Sequence, residues 1–162
     1  MSDFDTAQHI VEILRSRNLT VSVAESLTGG GVGATITAVA GASDVFVGGV
    51  TAYQKRIKIS LLGISPDLIE EKGVVSEEIA IAMAEGVKSS LHTIWAISTT
   101  GVAGPGASDG VPAGTVWIAI AGPGRRTLQL NLLGTREEVR NASVSRALAA
   151  FERILLSTYA ND

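Results

Sequence analysis

Cysteine is absent from the 162 residues, which excludes disulfides, thiolate metal sites and a cysteine nucleophile. Histidine is almost as scarce: His9 and His92 stand far apart with no ligand-like spacing, so no metal centre is expected. Aromatic residues make up 4% of the chain against 18 glycines, so close backbone packing should matter more than large side chains. A basic excess is missing too. Lys and Arg total 13 against 16 Asp and Glu, for a net charge of −3, and no stretch gathers enough of them for a nucleic-acid partner. No apolar run of membrane-spanning length occurs, and residues 1–18 carry Asp3, Asp5, Glu12, Arg15 and Arg17 where a signal peptide would be apolar. No membrane partner is expected, and a cytoplasmic location is the default. With 46% hydrophobic residues and no repeat, linker or low-complexity segment, residues 1–162 are expected to form one compact domain.

What is present centres on residues 20–33, Thr-Val-Ser-Val-Ala-Glu-Ser-Leu-Thr-Gly-Gly-Gly-Val-Gly. Val21, Val23 and Ala24 predict a short buried strand, which Thr28–Gly31 cannot easily continue. Val32, Ile36 and Val39 then recur at helical spacing, so a helix is predicted through Ala34–Ala40. Ser26 and Thr28 fall at this strand-to-helix turn. The first N–H groups of a helix have no intrahelical partner, so such a turn favours a phosphate or a developing oxyanion. The competing reading makes Ser26 or Thr28 a helix cap and the glycines a means of tight packing. Gly29, Gly31 and Ala34 also satisfy G-x-G-x-x-A, but Asp44 stands at the start of the next strand and not at its end, where a dinucleotide site needs its acid.

Elsewhere, residues 5–17 read as an amphipathic helix with Asp5 as N-cap and Ile10, Ile13 and Leu14 inward. Val45–Tyr53 reads as a strand, completing a βαβ unit. The segment after Tyr53 turns helical and puts Lys58 on one face with Leu61 and Leu62, with Arg56 opposite. A lysine among apolar neighbours loses hydration, which lowers its pKa. To serve as a base near neutrality it needs a depression of roughly three units, or about 4 kcal/mol. Lys55 and Arg56 would add to that shift and a nearby Glu25 would oppose it. The alternative is a lysine that snorkels off an ordinary amphipathic helix.

Pro66–Glu71 and a helix capped by Ser76, with Ile79, Met83, Val87 and Leu91 as its stripe, read as scaffold. Residues 93–99 predict a third buried strand, and the glycine-rich stretch from Thr100 to Gly114 is a candidate substrate wall or a long surface turn. Thr115–Ala121 and Thr127–Leu133 predict an antiparallel hairpin. The final helix should run from Thr135 or Arg136 to Thr158, with Arg140 on its inward arc. A cation near a helix N-terminus opposes the dipole, so Arg140 should find an anion, either Glu137 or a ligand phosphate.

Three separated segments, Val-Ala-Glu-Ser26-Leu-Thr-Gly-Gly, Gly49-Val-Thr-Ala-Tyr53 with Lys58 and Leu61-Leu62-Gly63, and Thr100-Gly-Val-Ala-Gly-Pro, resemble the C-terminal domain of the CinA family of competence and damage-inducible proteins. Gly73-Val-Val-Ser76, Pro112-Ala-Gly-Thr-Val-Trp117 and the Arg136…Arg140 helix start extend the match over nearly the whole chain. The resemblance implies an α/β fold, a three-layer α/β/α sandwich with a mostly parallel mixed sheet and an antiparallel hairpin near the C-terminus. It implies deamidation of nicotinamide mononucleotide to nicotinate mononucleotide and ammonia, with no metal or other cofactor, and commonly a homodimer. The larger members carry an additional N-terminal domain for which this chain has no room, so the stand-alone form is expected. By motif position the catalytic residues are Ser26, Lys58 and Tyr53. Leu27 stands where many relatives have cysteine, and Gln54-Lys-Arg-Ile replaces the more usual Ser-Asn-Glu-Ala, adding two positive charges.

Joined to the residue-level reading, the expected chemistry is attack by Ser26 on the carboxamide, with Lys58 taking the proton directly or through Tyr53. Amides around Thr28, Gly29 and Gly30 would receive the oxyanion. Arg140, Ser43 and the Thr100-Gly101 turn would hold the nucleotide's phosphate or ribose. A nucleotide-binding module without catalysis is the alternative. An oxidoreductase is a weaker third reading, since Tyr53 and Lys58 are wrongly spaced for the usual tyrosine–lysine pair.

Overall fold

The computed structural model describes residues 1–160. In chain order these form α1 (Asp3–Ser16), β1 (Val21–Glu25), α2 (Gly31–Thr37), a 3₁₀ turn at Ala42–Asp44, β2 (Phe46–Thr51) and α3 (Lys55–Ser60). There follow α4 (Pro66–Lys72), α5 (Glu77–Leu91), β3 (Trp95–Gly101), β4 (Thr115–Ala121), β5 (Arg126–Asn131) and α6 (Arg136–Thr158). The strands pair in the order β2-β1-β3-β4-β5. β1 lies parallel to both β2 and β3, and β3, β4 and β5 run antiparallel in turn. The sheet is thus mixed, parallel in its first two pairings and antiparallel in its last two, with the expected hairpin at β4–β5.

Alternation along the strands sorts side chains by size between two cores. Val21, Val23, Trp95, Ile97, Val116, Ile118 and Ile120 pack with apolar residues of α1, α2 and α6. The opposite face presents Ala24, Ala96, Ala119 and Ala121 to Ile79, Ala80, Met83, Ala84 and Val87 of α5. Small residues there let the α5 backbone come close, and Ser98 Oγ donates to the Ala80 carbonyl at 2.6 Å. Helices therefore cover both faces in three layers. From β1 the chain passes through α2 to β2 on one side. From β2 it passes through α3–α5 to β3 on the other. Connections that diverge in this way open a crevice beyond the carboxyl ends of β1 and β3, the usual place for a ligand in such sheets.

Two local expectations change. Ser2, not Asp5, caps α1; Asp5 is the third helical residue and closes a capping box with it, because the helix begins two residues earlier than its apolar periodicity shows. The helix after the glycine turn ends at Thr37 and does not reach Ala40. α6 starts at Arg136, capped by Thr135, where it was expected. Among the described residues no helix is long and apolar enough to cross a membrane.

Gly86 tests the close packing on α5. Helix propensity alone predicts that Gly86→Ala stabilises by about 1 kcal/mol. A Cβ at this position would instead collide with the Leu62 carbonyl, which is backbone and cannot rotate away. We predict a net destabilisation of about 1–3 kcal/mol in urea unfolding; a stabilised variant would contradict the packing described.

Candidate active site

The site begins where β1 ends. The Ser26 amide donates to the Thr99 carbonyl at 3.0 Å, which carries the β1–β3 ladder one residue past the strand and fixes the serine backbone. The chain then reverses. Gly29 N–H bonds back to Ser26 O at 3.0 Å, and Gly29 and Gly30 take left-handed φ values of 61° and 101° that favour glycine.

Glu25 occupies the position at which an external anion was expected. Its side chain, 1% exposed, accepts from the amides of Val32 at 2.8 Å and Gly33 at 3.1 Å and from Thr28 Oγ1 at 2.6 Å. The α2 N-terminus is therefore satisfied by an internal carboxylate and is not offered to a ligand. Thr28 Oγ1 also lies 2.7 Å from Thr99 Oγ1, so its hydroxyl belongs to this buried network. With the Gly29 amide already bonded, the amides of Leu27, Thr28 and Gly30 have no intrachain acceptor among the described residues.

β2 leads back to the same end of the sheet. Ala52 N–H bonds to Glu25 O at 2.8 Å, and the chain turns into α3, whose inward face carries Lys58. Lys58 is 2% exposed, and its Nζ lies 3.1 Å from Ser26 Oγ and 2.6 Å from Ala52 O. Thirty-two positions separate the two side chains in sequence. Burial removes hydration from the ammonium and lowers the Lys58 pKa to about 8. Lys55 and Arg56 contribute no part of this shift: Lys55 pairs with Glu70 and Arg56 Nε bonds to Gln54 at 2.8 Å. A neutral amine keeps an N–H for the Ala52 carbonyl and turns its lone pair to the serine hydroxyl, which is the arrangement of a general base beside its nucleophile.

Tyr53 is not interposed. It is 57% exposed, and its hydroxyl accepts from Arg136 Nη2 at 2.8 Å, while Arg136 Nη1 donates to Gly104 O at 2.8 Å. A cleft of about 730 Å³, within the usual range for small-molecule sites, opens beside these residues. Ser26, Leu27, Tyr53, Lys58, Thr100 and Gly101 line it, with residues 102–109 forming one wall and residues 69, 70 and 72–75 another. The glycine-rich segment after β3 is thus a cleft wall and contains a cis Gly104–Pro105 peptide bond. Thr100 Oγ1 donates to Val74 O at 2.7 Å and ties the two walls together.

Several expected ligand residues lie elsewhere. Thr28, Gly29, Gly30, Ser43 and Arg140 are not part of the cleft wall. Ser43 sits in the 3₁₀ turn that precedes β2; because β1 and β2 are parallel, it lies at the opposite end of the sheet from Ser26. Arg140 has neither Glu137 nor the cleft as its anion. Its Nε donates to Leu27 O at 2.9 Å and Nη2 reaches Thr28 O at 3.5 Å, so it braces the turn from behind. The arginine on the cleft wall is Arg136, one helical turn earlier, which the sequence shows only as a helix start. The signal was there: Arg136 directly follows the Thr135 cap, where a cation opposes the helix dipole unless something else holds it.

Fold and site together define an α/β domain with a serine–lysine pair at the carboxyl edge of parallel strands. The chain belongs to the CinA C-terminal domain family, whose sequence model matches residues 3–155. It is 52% identical over 122 residues to a CinA-like protein of Synechococcus sp. RCC307, covering 75% of this chain and 29% of that protein. It is 46% identical over 162 residues to a CinA-like protein of Synechocystis sp. PCC 6803, covering 96% and 39%. The chain thus spans about two fifths or less of the length of these relatives. Among solved structures, a competence-damaged protein (CinA) superfamily protein of Klebsiella pneumoniae superposes with a TM-score of 0.92 at 29% identity, covering 97% of this chain and 99% of that one. The competence/damage inducible protein CihA of Agrobacterium tumefaciens gives 0.90 at 31% identity, covering 96% of both.

Burial of Lys58 leaves a mark on stability. The unfolded chain keeps the lysine proton to about pH 10.5, and the folded chain only to about pH 8. Between these values the unfolded state binds more protons, so the free energy of unfolding rises with pH. At about 1.4 kcal/mol per pKa unit, we predict that the native protein gains about 3 kcal/mol over Lys58→Met across this window in chemical unfolding. A constant difference between the two proteins would contradict it.

Proposed function

We propose that this domain is an amidohydrolase that deamidates nicotinamide mononucleotide to nicotinate mononucleotide and ammonia, using Ser26 and Lys58 and no metal. The observation that carries the reading is the 3.1 Å contact between Ser26 Oγ and the buried Lys58 amine at the floor of the cleft. Ser26 Oγ attacks the carboxamide carbon while neutral Lys58 Nζ takes the hydroxyl proton. The carbonyl π pair moves onto oxygen, where the unengaged amide of Leu27 on the cleft wall is the proposed receiver, typically worth about 3–4 kcal/mol. As the tetrahedral centre collapses, the Lys58 ammonium protonates the departing nitrogen, and ammonia leaves an ester on Ser26. Water then attacks the ester, giving its proton to Lys58. The serine oxygen departs with that proton, and nicotinate mononucleotide is released.

A pyridinium ring suits this route, because its positive nitrogen draws electrons from the carboxamide carbon. Lys55, Lys72 and Arg136 on the cleft wall, against Glu70 and Asp109, suit an anionic nucleotide. The direct Lys58–Ser26 contact favours transfer without Tyr53 as relay.

The test is ammonia release from nicotinamide mononucleotide in the presence of EDTA. We predict that kcat/KM rises tenfold per pH unit below about pH 8, where Lys58 is protonated, and levels above it. Ser26→Ala and Lys58→Met should each lower turnover at least about 10³-fold while leaving the fold intact. A fully active Ser26→Ala protein would exclude the covalent route, and tight nucleotide binding without any ammonia would favour a binding module.

A further inference from the structure

We propose, resting on the reading of the site as a serine–lysine amidohydrolase, that the same cleft is an acyltransferase: the ester formed on Ser26 passes to small unprotonated amines as well as to water, and an N-substituted carboxamide results. The observation that carries it is that a single base serves Ser26. Among the described residues, Lys58, with its Nζ at 3.1 Å, is the side chain that reaches Ser26 Oγ. Glu25 is turned to the Val32 and Gly33 amides and the Thr28 hydroxyl, and the Tyr53 hydroxyl is held by Arg136.

One lysine must then work in both half-reactions. The ammonium that hands its proton to the departing nitrogen becomes the amine that takes a proton from whatever attacks next, on the same side of the acyl carbon. The second nucleophile therefore attacks from the place that has just released ammonia, a pyramidal nitrogen whose N–H points to Lys58. A small amine reproduces that arrangement more closely than water does. Among the described residues no side chain is set aside to orient water. At the end of β3, Thr100 Oγ1 donates to Val74 O at 2.7 Å and Thr99 Oγ1 lies 2.7 Å from Thr28 Oγ1, so both hydroxyls are already engaged. Gly101, Ala103, Gly104, Gly106 and Ala107 on the wall leave room for an amine's substituent in the cleft of about 730 Å³.

The same chemistry sets the class of acceptor. The attacking nitrogen needs its lone pair, so the amine must be unprotonated near neutral pH. Arg136 on the cleft wall, which no carboxylate pairs with among the described residues, adds to this selection by repelling a cation. Hydroxylamine and hydrazines meet both conditions, and alkylammonium ions meet neither. In the transfer step the amine nitrogen bonds to the acyl carbon and gives one proton to Lys58 Nζ. The bond from that carbon to Ser26 Oγ breaks, and Oγ leaves with the proton from Lys58, so the serine hydroxyl and the neutral lysine are both regenerated. Ammonia has left before the acceptor arrives. An amine thus changes the product without changing the ammonia released per nucleotide consumed.

The experiment uses the intact chain with nicotinamide mononucleotide and, separately, the methyl ester of nicotinate mononucleotide, each with and without molar hydroxylamine. Ammonia, nicotinate mononucleotide and its hydroxamate are quantified, and Ser26→Ala supplies the blank for uncatalysed aminolysis. With either donor the hydroxamate is expected to replace at least about half of the acid. The ratio of hydroxamate to acid should be the same for both donors, because both form one ester on Ser26. Ammonia release with the acid as the product throughout, or a hydroxamate yield no greater than with Ser26→Ala, overturns acyl transfer and leaves deamidation standing. A ratio that differs between the donors overturns it too, since no ester would be shared. Hydroxamate from the ester without ammonia from the amide means that deamidation fails and acyl transfer stands. If neither donor reacts, both fail.

Discussion

The hydration that Lys58 loses is the constraint on which the rest of this site depends. An ammonium on a solvated helix face would keep its proton through the physiological range and could only donate to Ser26. Placed at 2% exposure, with the Ala52 carbonyl at 2.6 Å as its fixed acceptor, the same group releases the proton at about pH 8 and can accept another from the serine. The shift costs stability at neutral pH, and three structural features meet that cost. The α5 layer packs closely on the alanine and serine face of the sheet. The β1–β3 ladder extends through Ser26, and the Ala52 amide anchors the chain after β2 to Glu25 O.

A second buried ionisable group works in the opposite sense and stays apart from the chemistry. Glu25 is next to Ser26 in sequence but turns away from it, to the amides of Val32 and Gly33 and the hydroxyl of Thr28. An adjacent carboxylate facing Lys58 would stabilise the ammonium and undo the effect of burial. By capping α2 from inside, Glu25 rigidifies the glycine turn and leaves burial as the influence that sets the lysine. Arg140 supports the turn from the other side through the carbonyls of Leu27 and Thr28. Ser26 thus opens a turn braced by one internal anion and one internal cation, neither of which lines the cleft.

How much of this could be read from the chain follows from the range of each interaction. Local periodicity placed Lys58 on the inward face of α3 and Arg56 outward, because a single helical turn decides it. The glycine turn after Ser26 was equally visible, since left-handed backbone at Gly29 and Gly30 follows from local chemistry. What governs the turn's electrostatics was not visible. Whether the α2 amides face a ligand or Glu25 depends on how a side chain folds back over the turn, and Ser43 was misplaced because a strand's near and far ends look alike without its partner's direction. Arg136 and Arg140 differ by one helical turn, and only the packing of α6 against the β1 turn decides which meets carbonyls and which meets the cleft. The motif resemblance singled out Ser26 and Lys58, which the fold brings to 3.1 Å; the partner of Tyr53 required coordinates.

The most direct measurement is an NMR titration of the lysine side chains in protein carrying isotope-labelled lysine, with Lys58 assigned by its loss in Lys58→Met. The account predicts a Lys58 midpoint near pH 8, well below the remaining lysines. A midpoint near the ordinary lysine value of about 10.4 would mean that the amine is solvated and charged, and the serine–lysine chemistry would fall with it.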